Sequence, residues 1–158
     1  MRAAYAQLSA NPATPTVAPS APKAPRTPRE KLLAAAFAAR GVPYKWGAKG
    51  PDAYDCSGFA RAVYAAAGVQ LPNGSFKQAE GERPLASERQ LAPGDLLLYR
   101  WTKSTKVEHV TVYAGGGWVI GTGTPGQPPK VTVYPLASDL RADGRVLTFR
   151  HIQLAGER

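Results

Sequence analysis

Apolar positions along the chain change period near its middle, and that change divides the folded part in two. The first half has helical spacing. Thr27-Pro28-Arg29-Glu30 places threonine at a cap, proline at the first helical position and glutamate at the third, which is a capping box. Leu32, Leu33, Ala36, Phe37 and Arg40 then fall on one face, and Gly41 is placed to end the run. The spacing predicts a helix over residues 29–40. A second helix is predicted over residues 56–67, with Asp55 as its cap, Phe59, Ala60, Val63, Tyr64 and Ala67 as its apolar face, and Gly68 as its stop. Between the two lies an extended stretch punctuated by Gly47, Gly50 and Pro51. Residues 69–92 are mixed and read as loop with a short helix around 75–80.

From Leu91 the pattern alternates. Ala92-Pro93-Gly94-Asp95 is a turn, and residues 95–101 read as a strand. A polar loop leads to a strand over 108–114, where Val110 and Val112 alternate with Thr111 and Tyr113. Gly115-Gly116-Gly117 is a tight connection to a returning strand over 118–122. A Gly/Pro loop, 123–129, precedes strands over 130–134 and 145–152. Helices first and an antiparallel meander afterwards define an α+β fold with the helices on one face of the sheet.

Residues 1–26 do not take part in either pattern. They are rich in Ala, Pro, Thr and Ser, with prolines at 12, 15, 19, 22 and 25, a composition that favours extended conformations over burial. They read as a semi-rigid basic linker, leaving 27–158 as one domain. Arg2, Lys23, Arg26 and Arg29 read as solvated tail charge. The whole chain has 158 residues and a net charge of +9, which favours anionic partners such as nucleic acid, acidic wall polymers or a membrane face. It has neither zinc-finger spacing nor an aromatic-rich basic run, so specific nucleic-acid binding is not expected. No apolar run is long enough for a membrane span, and the N-terminus as written lacks the apolar core of a signal peptide.

The chemistry narrows to few residues. Cys56 is the only cysteine, so an internal disulfide is impossible and a metal site is not expected. It stands at a helix N-terminus, where unpaired N–H groups and the helix dipole favour a thiolate and should lower its pKa from about 8.5 toward neutrality. The alternative is a small buried hydrophobe. A thiolate nucleophile needs a base, and the two histidines are His109, at the start of the central hairpin, and His151, near the chain end.

Four blocks, in order, resemble the NlpC/P60 cysteine peptidases: Gly41-Val42-Pro43-Tyr44-x-Trp46-Gly47, Asp55-Cys56-Ser57-Gly58-Phe59, Leu91-x-Pro93-Gly94-Asp95-Leu96 and His109-Val110-x-Val112-Tyr113-x-Gly115. The resemblance covers about residues 30–134. It implies a papain-like fold with N-terminal helices packed on a central antiparallel sheet. It also implies hydrolysis of peptidoglycan stem peptides at the cell wall, commonly between D-isoglutamate and the following diamino acid, by a monomer without metal or organic cofactor. By position it makes Cys56 the nucleophile, His109 its base and Tyr44 an oxyanion donor beside the Cys56 N–H. Asp55, Ser57 and Trp46 become substrate-binding residues.

The family's third catalytic residue, which orients the imidazole, is usually twelve positions after the histidine. Here that position is Gly121, which has no side chain, and Thr122 or Gln127 are the polar residues near it. Two rival functions follow. One is a wall-binding or scaffold module that has lost turnover. The other is a thiol amidase or transferase acting on another acyl substrate.

Overall fold

The computed structural model describes residues 17–78 and 83–157. Within the expected linker, residues 17–26 carry neither helix nor strand, and the remainder of that stretch lies outside the described residues. Helix α1 (Pro28–Ala38) begins with the capping box: Thr27 Oγ1 accepts from the Glu30 N–H, and the Glu30 carboxylate accepts from the Thr27 N–H at 3.0 Å. Helix α2 (Cys56–Ala65) is capped by Asp55 and buries Phe59, Ala60, Val63 and Tyr64. Both helices stop about two residues before the predicted ends. A short α3 (Ser75–Gln78) follows, then a three-residue strand β1 (Arg83–Leu85). The five predicted strands appear as β2 (Leu96–Trp101), β3 (His109–Gly115), β4 (Trp118–Gly121), β5 (Thr132–Pro135) and β6 (Arg145–His151). A last helix, α4 (Leu136–Leu140), fills the gap between β5 and β6.

The sheet has six strands in the order β1-β6-β2-β3-β4-β5, with every neighbouring pair antiparallel. Strands β2 to β5 form the expected meander. Strand β6 returns to the free side of β2, and β1 caps that edge. The hairpin between β3 and β4 needs its three glycines: Gly115, Gly116 and Gly117 have φ of 94°, 61° and 89°, a run that side chains would oppose.

Alternation along each strand sorts side chains onto two faces. Leu96, Leu98, Val110, Val112 and Ile120 pack under α1 and α2 with Leu32, Phe59, Val63 and Tyr64. Leu97, Tyr99, Tyr113, Val119, Tyr134 and Phe149 form a second layer with Leu136 of α4. Both faces of the sheet centre are therefore covered, which is why the run Leu96-Leu97-Leu98 is apolar without alternation. Each such side chain contributes about 1.5–3 kcal/mol by leaving water.

Arg29 departs from its reading as tail charge. Its guanidinium donates to Glu157 at 2.6 and 2.8 Å and to the Ile152 and Pro93 carbonyls, tying the first turn of α1 to the end of the chain. Among the described residues no helix is long and apolar enough to cross a membrane.

Candidate active site

The first turn of α2 is built tightly. Asp55 Oδ1 accepts from the Gly58 N–H at 2.6 Å and from Ser57 Oγ at 3.3 Å, while Oδ2 pairs with Lys49 Nζ at 2.9 Å. A Cβ on Gly58 would lie 2.6 Å from the Ala48 carbonyl oxygen and 2.8 Å from Asp55 Oδ1, so glycine is what lets the preceding loop close on the helix. That closure sets Cys56, the first helical residue, in the wall of a cleft of about 540 Å3. Tyr44, Trp46, Asp55, Ser57 and His109 line the same cleft. The structure thus brings together every side chain singled out from the four blocks. His151 lies outside it, with Nδ1 2.7 Å from Asp95.

The expected lowering of the Cys56 pKa is not what the site produces. Burial pushes the thiol up and the Asp55 charge adds to that, while the N–H groups of Val110, Ser57 and Cys56 pull the other way without prevailing. The helix N-terminus is present, but desolvation and an acidic cap outweigh it.

His109 opens β3 and is 5% exposed. Its ring lies 4.8 Å from that of Tyr99, its cross-strand neighbour. Burial, and to a smaller extent the Arg145 charge, take its pKa down to about 3, so the imidazole is neutral at physiological pH. Its Nε2 is 2.7 Å from Thr124 Oγ1. Tyr44 keeps its proton, because burial and the nearby Cys56 and Asp55 all raise its pKa. Its ring rests where a Cβ of Gly123 would be, 2.6 Å from such an atom, and Gly123 has a φ of 79°. Trp46 is 88% exposed and stands at the rim.

None of Gly121, Thr122 and Gln127 contacts the His109 ring nitrogen in the way the resemblance implies. Gly121 has no room for a side chain: its Cβ would fall 2.6 Å from Thr111 Cγ2. Thr122 is buried with its hydroxyl unpartnered. Gln127 meets Thr124 through its backbone N–H. The contact belongs to Thr124, three residues past the expected place, which sequence reasoning did not name. Behind it stand Tyr134, Tyr99 and Asp139. The available signal was a hydroxyl flanked by Gly123 and Pro125 directly after the strand that pairs with β3.

Among the described residues no cluster of His, Cys, Asp and Glu could hold a metal ion.

The fold is a papain-like α+β scaffold whose cleft is lined by Cys56 and His109. The NlpC/P60 family model matches residues 41–137, and the chain belongs to that family. It is 39% identical over 89 residues to a probable endopeptidase p60 of Listeria grayi, covering 56% of this chain but 17% of that protein. It therefore spans about a sixth of that relative. The peptidoglycan hydrolase RipB of Mycobacterium tuberculosis shares its structure with a TM-score of 0.63 at 31% identity, over 80% of this chain and 65% of RipB. RipD of the same organism, described as a non-catalytic NlpC/p60 domain protein adapted to peptidoglycan binding, shares the fold with a TM-score of 0.64 at 24% identity, over 82% of this chain and the whole of RipD.

Proposed function

We propose that this domain is a cysteine endopeptidase that cuts peptidoglycan stem peptides at the bacterial cell wall, at the bond between D-isoglutamate and the diamino acid. The observation that carries the reading is the convergence of Cys56, His109 and Tyr44 on one cleft. In the reaction the Cys56 proton passes to His109 as sulfur attacks the carbonyl carbon. The Tyr44 hydroxyl and the Cys56 N–H donate to the oxygen on which charge develops. The imidazolium then gives its proton to the leaving amine, and water, deprotonated by His109, releases the acyl group. Among the described residues Asp55 Oδ2 pairs with Lys49, whose side chain is 45% exposed against 13% for Asp55, so the ammonium can swing into solvent and a substrate ammonium can take its place. The exposed face of Trp46 offers a surface for the stem peptide.

The +9 charge suits an enzyme held on an anionic wall polymer, and the basic residues before Thr27 act as a tether rather than as part of the domain. The likeness to RipD supports one rival, a wall-binding module without turnover. Digestion of purified peptidoglycan followed by mass analysis of the released peptides separates the two. The expected product carries a new amino terminus on the diamino acid, and Cys56→Ala should lose hydrolysis while keeping its melting temperature. Wild-type turnover in Cys56→Ala would refute the mechanism, and intact peptidoglycan after digestion would favour the binding module.

A further inference from the structure

We propose that Thr124 is the positioning residue for His109, and that a buried Tyr134–Asp139 pair behind it fixes which imidazole nitrogen carries the proton. The proposal rests on the Cys–His reading above and deepens it. The order of donors follows from the far end of the chain of contacts. Asp139 is 1% exposed and its Oδ1 is paired with Arg145 at 2.7 Å. Its Oδ2 accepts from the hydroxyls of Tyr134, at 2.7 Å, and Tyr99, at 2.5 Å. With its hydrogen committed to Asp139, the Tyr134 oxygen is an acceptor for Thr124, 3.2 Å away. The Tyr99 oxygen is likewise left to accept from Thr111 at 2.7 Å. Thr124 has a single hydroxyl hydrogen. If that hydrogen points to Tyr134, the Thr124 oxygen accepts from Nε2–H of His109 at 2.7 Å. The neutral ring then carries its proton on Nε2 and presents a bare Nδ1 as the base.

The loop that holds Thr124 is secured from the same cluster. Arg145 donates to the Pro125 carbonyl at 2.8 Å while it pairs with Asp139. Thr124 is itself 3% exposed, so water does not compete for its hydroxyl. A short loop residue backed by a carboxylate thus stands in for the side chain that Gly121 lacks. The imidazolium formed during turnover keeps the same Nε2–H bond, so the ring need not turn between taking and giving its proton.

The test reads the tautomer as well as the rate. In 15N-labelled protein, two-bond proton–nitrogen correlation spectra separate Nε2–H from Nδ1–H imidazoles, and the His109 signals are those lost in His109→Gln. Wild type should show a single Nε2–H tautomer at pH 7. Thr124→Val and Tyr134→Phe should lose that fixed state, and Thr124→Ser should keep it. With stem peptide as substrate, Thr124→Val should lower kcat about tenfold or more, with KM within about twofold, and Thr124→Ser should restore most of the rate. An Nδ1–H ring in wild type, an unchanged tautomer in Thr124→Val, or an unchanged kcat there would overturn the proposal. If Cys56→Ala still hydrolyses the peptide, the endopeptidase mechanism fails instead, and the tautomers of wild type and Thr124→Val still decide the role of Thr124.

Discussion

Burial favours the uncharged forms of Cys56 and His109, raising the pKa of the thiol and holding the imidazole neutral with a pKa of about 3. The cleft therefore holds a thiol and a neutral imidazole, not a preformed thiolate–imidazolium pair, and in the proposed mechanism deprotonation accompanies attack on a bound carbonyl. Free enzymes commonly leave such partners to close up on substrate. This predicts that iodoacetamide alkylates Cys56 slowly at pH 7 and that the rate climbs with pH through and beyond the ordinary thiol value of about 8.5. A rate that is already at a plateau between about pH 5 and 8 would mean a thiolate and would contradict the neutral pair. Low thiol reactivity in the absence of substrate is consequently no sign of a decayed site.

At the scale of elements, the pairing of β3 with β4 explains why the expected third position is vacant. Gly121 follows Ile120, the cross-strand partner of Val112, and the Thr111 methyl occupies the space a side chain would need. Overpacking at such a place costs about 1–3 kcal/mol. Gly121→Asn should lower the melting temperature without raising turnover, and Gly121→Ala should be milder. Combining Gly121→Ala with Thr111→Ser, which removes the methyl and keeps the hydroxyl on Tyr99, should recover part of the loss. A Gly121→Asn protein that is as stable as wild type and faster would show that the family's usual arrangement fits here after all. The same strands show what the sequence can and cannot reveal. The capping box at Thr27 and the cap at Asp55 are contacts within four residues, and both are legible because they are local. The strands β2 to β6 are legible from their turns and apolar pattern. Strand β1 is three residues with a proline and exists only by pairing with β6, so nothing local announces it. Helix α4 has five residues and no side-chain cap. Thr124 is hidden for a related reason, since its partner His109 is fifteen residues away and its other partner belongs to another strand. The direction of the Cys56 shift is not legible in the sequence, because a helix terminus can be read locally whereas desolvation depends on the packed fold.

Across the described domain, the first turn of α1 is joined to the segment after β6. Arg29, in the first turn of α1, holds Glu157 through two nitrogens, and Glu157 Oε1 also accepts from the Leu154 N–H at 3.0 Å. Residues 17–26 are exposed apart from half-buried Pro19 and Pro22, and at their end the Arg26 N–H donates to Glu30. A chain beginning at residue 24 should thus match the full chain in melting temperature and hydrolysis, and a marked loss of either would place part of the tether inside the domain. The opposite end should behave differently. The hydrogen bond from Arg29, with smaller help from the Leu154 N–H, brings the Glu157 pKa down to about 2. Because the folded value lies below the ordinary value of about 4.3, the contact stabilises the fold fully above that value and loses its contribution as pH falls toward about 2. Glu157 keeps 27% of its side-chain surface in water, so screening holds the effect to about 0.5–1 kcal/mol. Wild type should therefore melt above Glu157→Gln at pH 7, and the gap should narrow steadily between about pH 4.5 and pH 2. Arg29→Ala should abolish that pH dependence of the gap and cost more at neutral pH, since the Ile152 and Pro93 carbonyls lose their donor as well. A gap that is constant across this range, or one that widens on acidification, would show that the Arg29–Glu157 contact does not contribute to holding the two segments together.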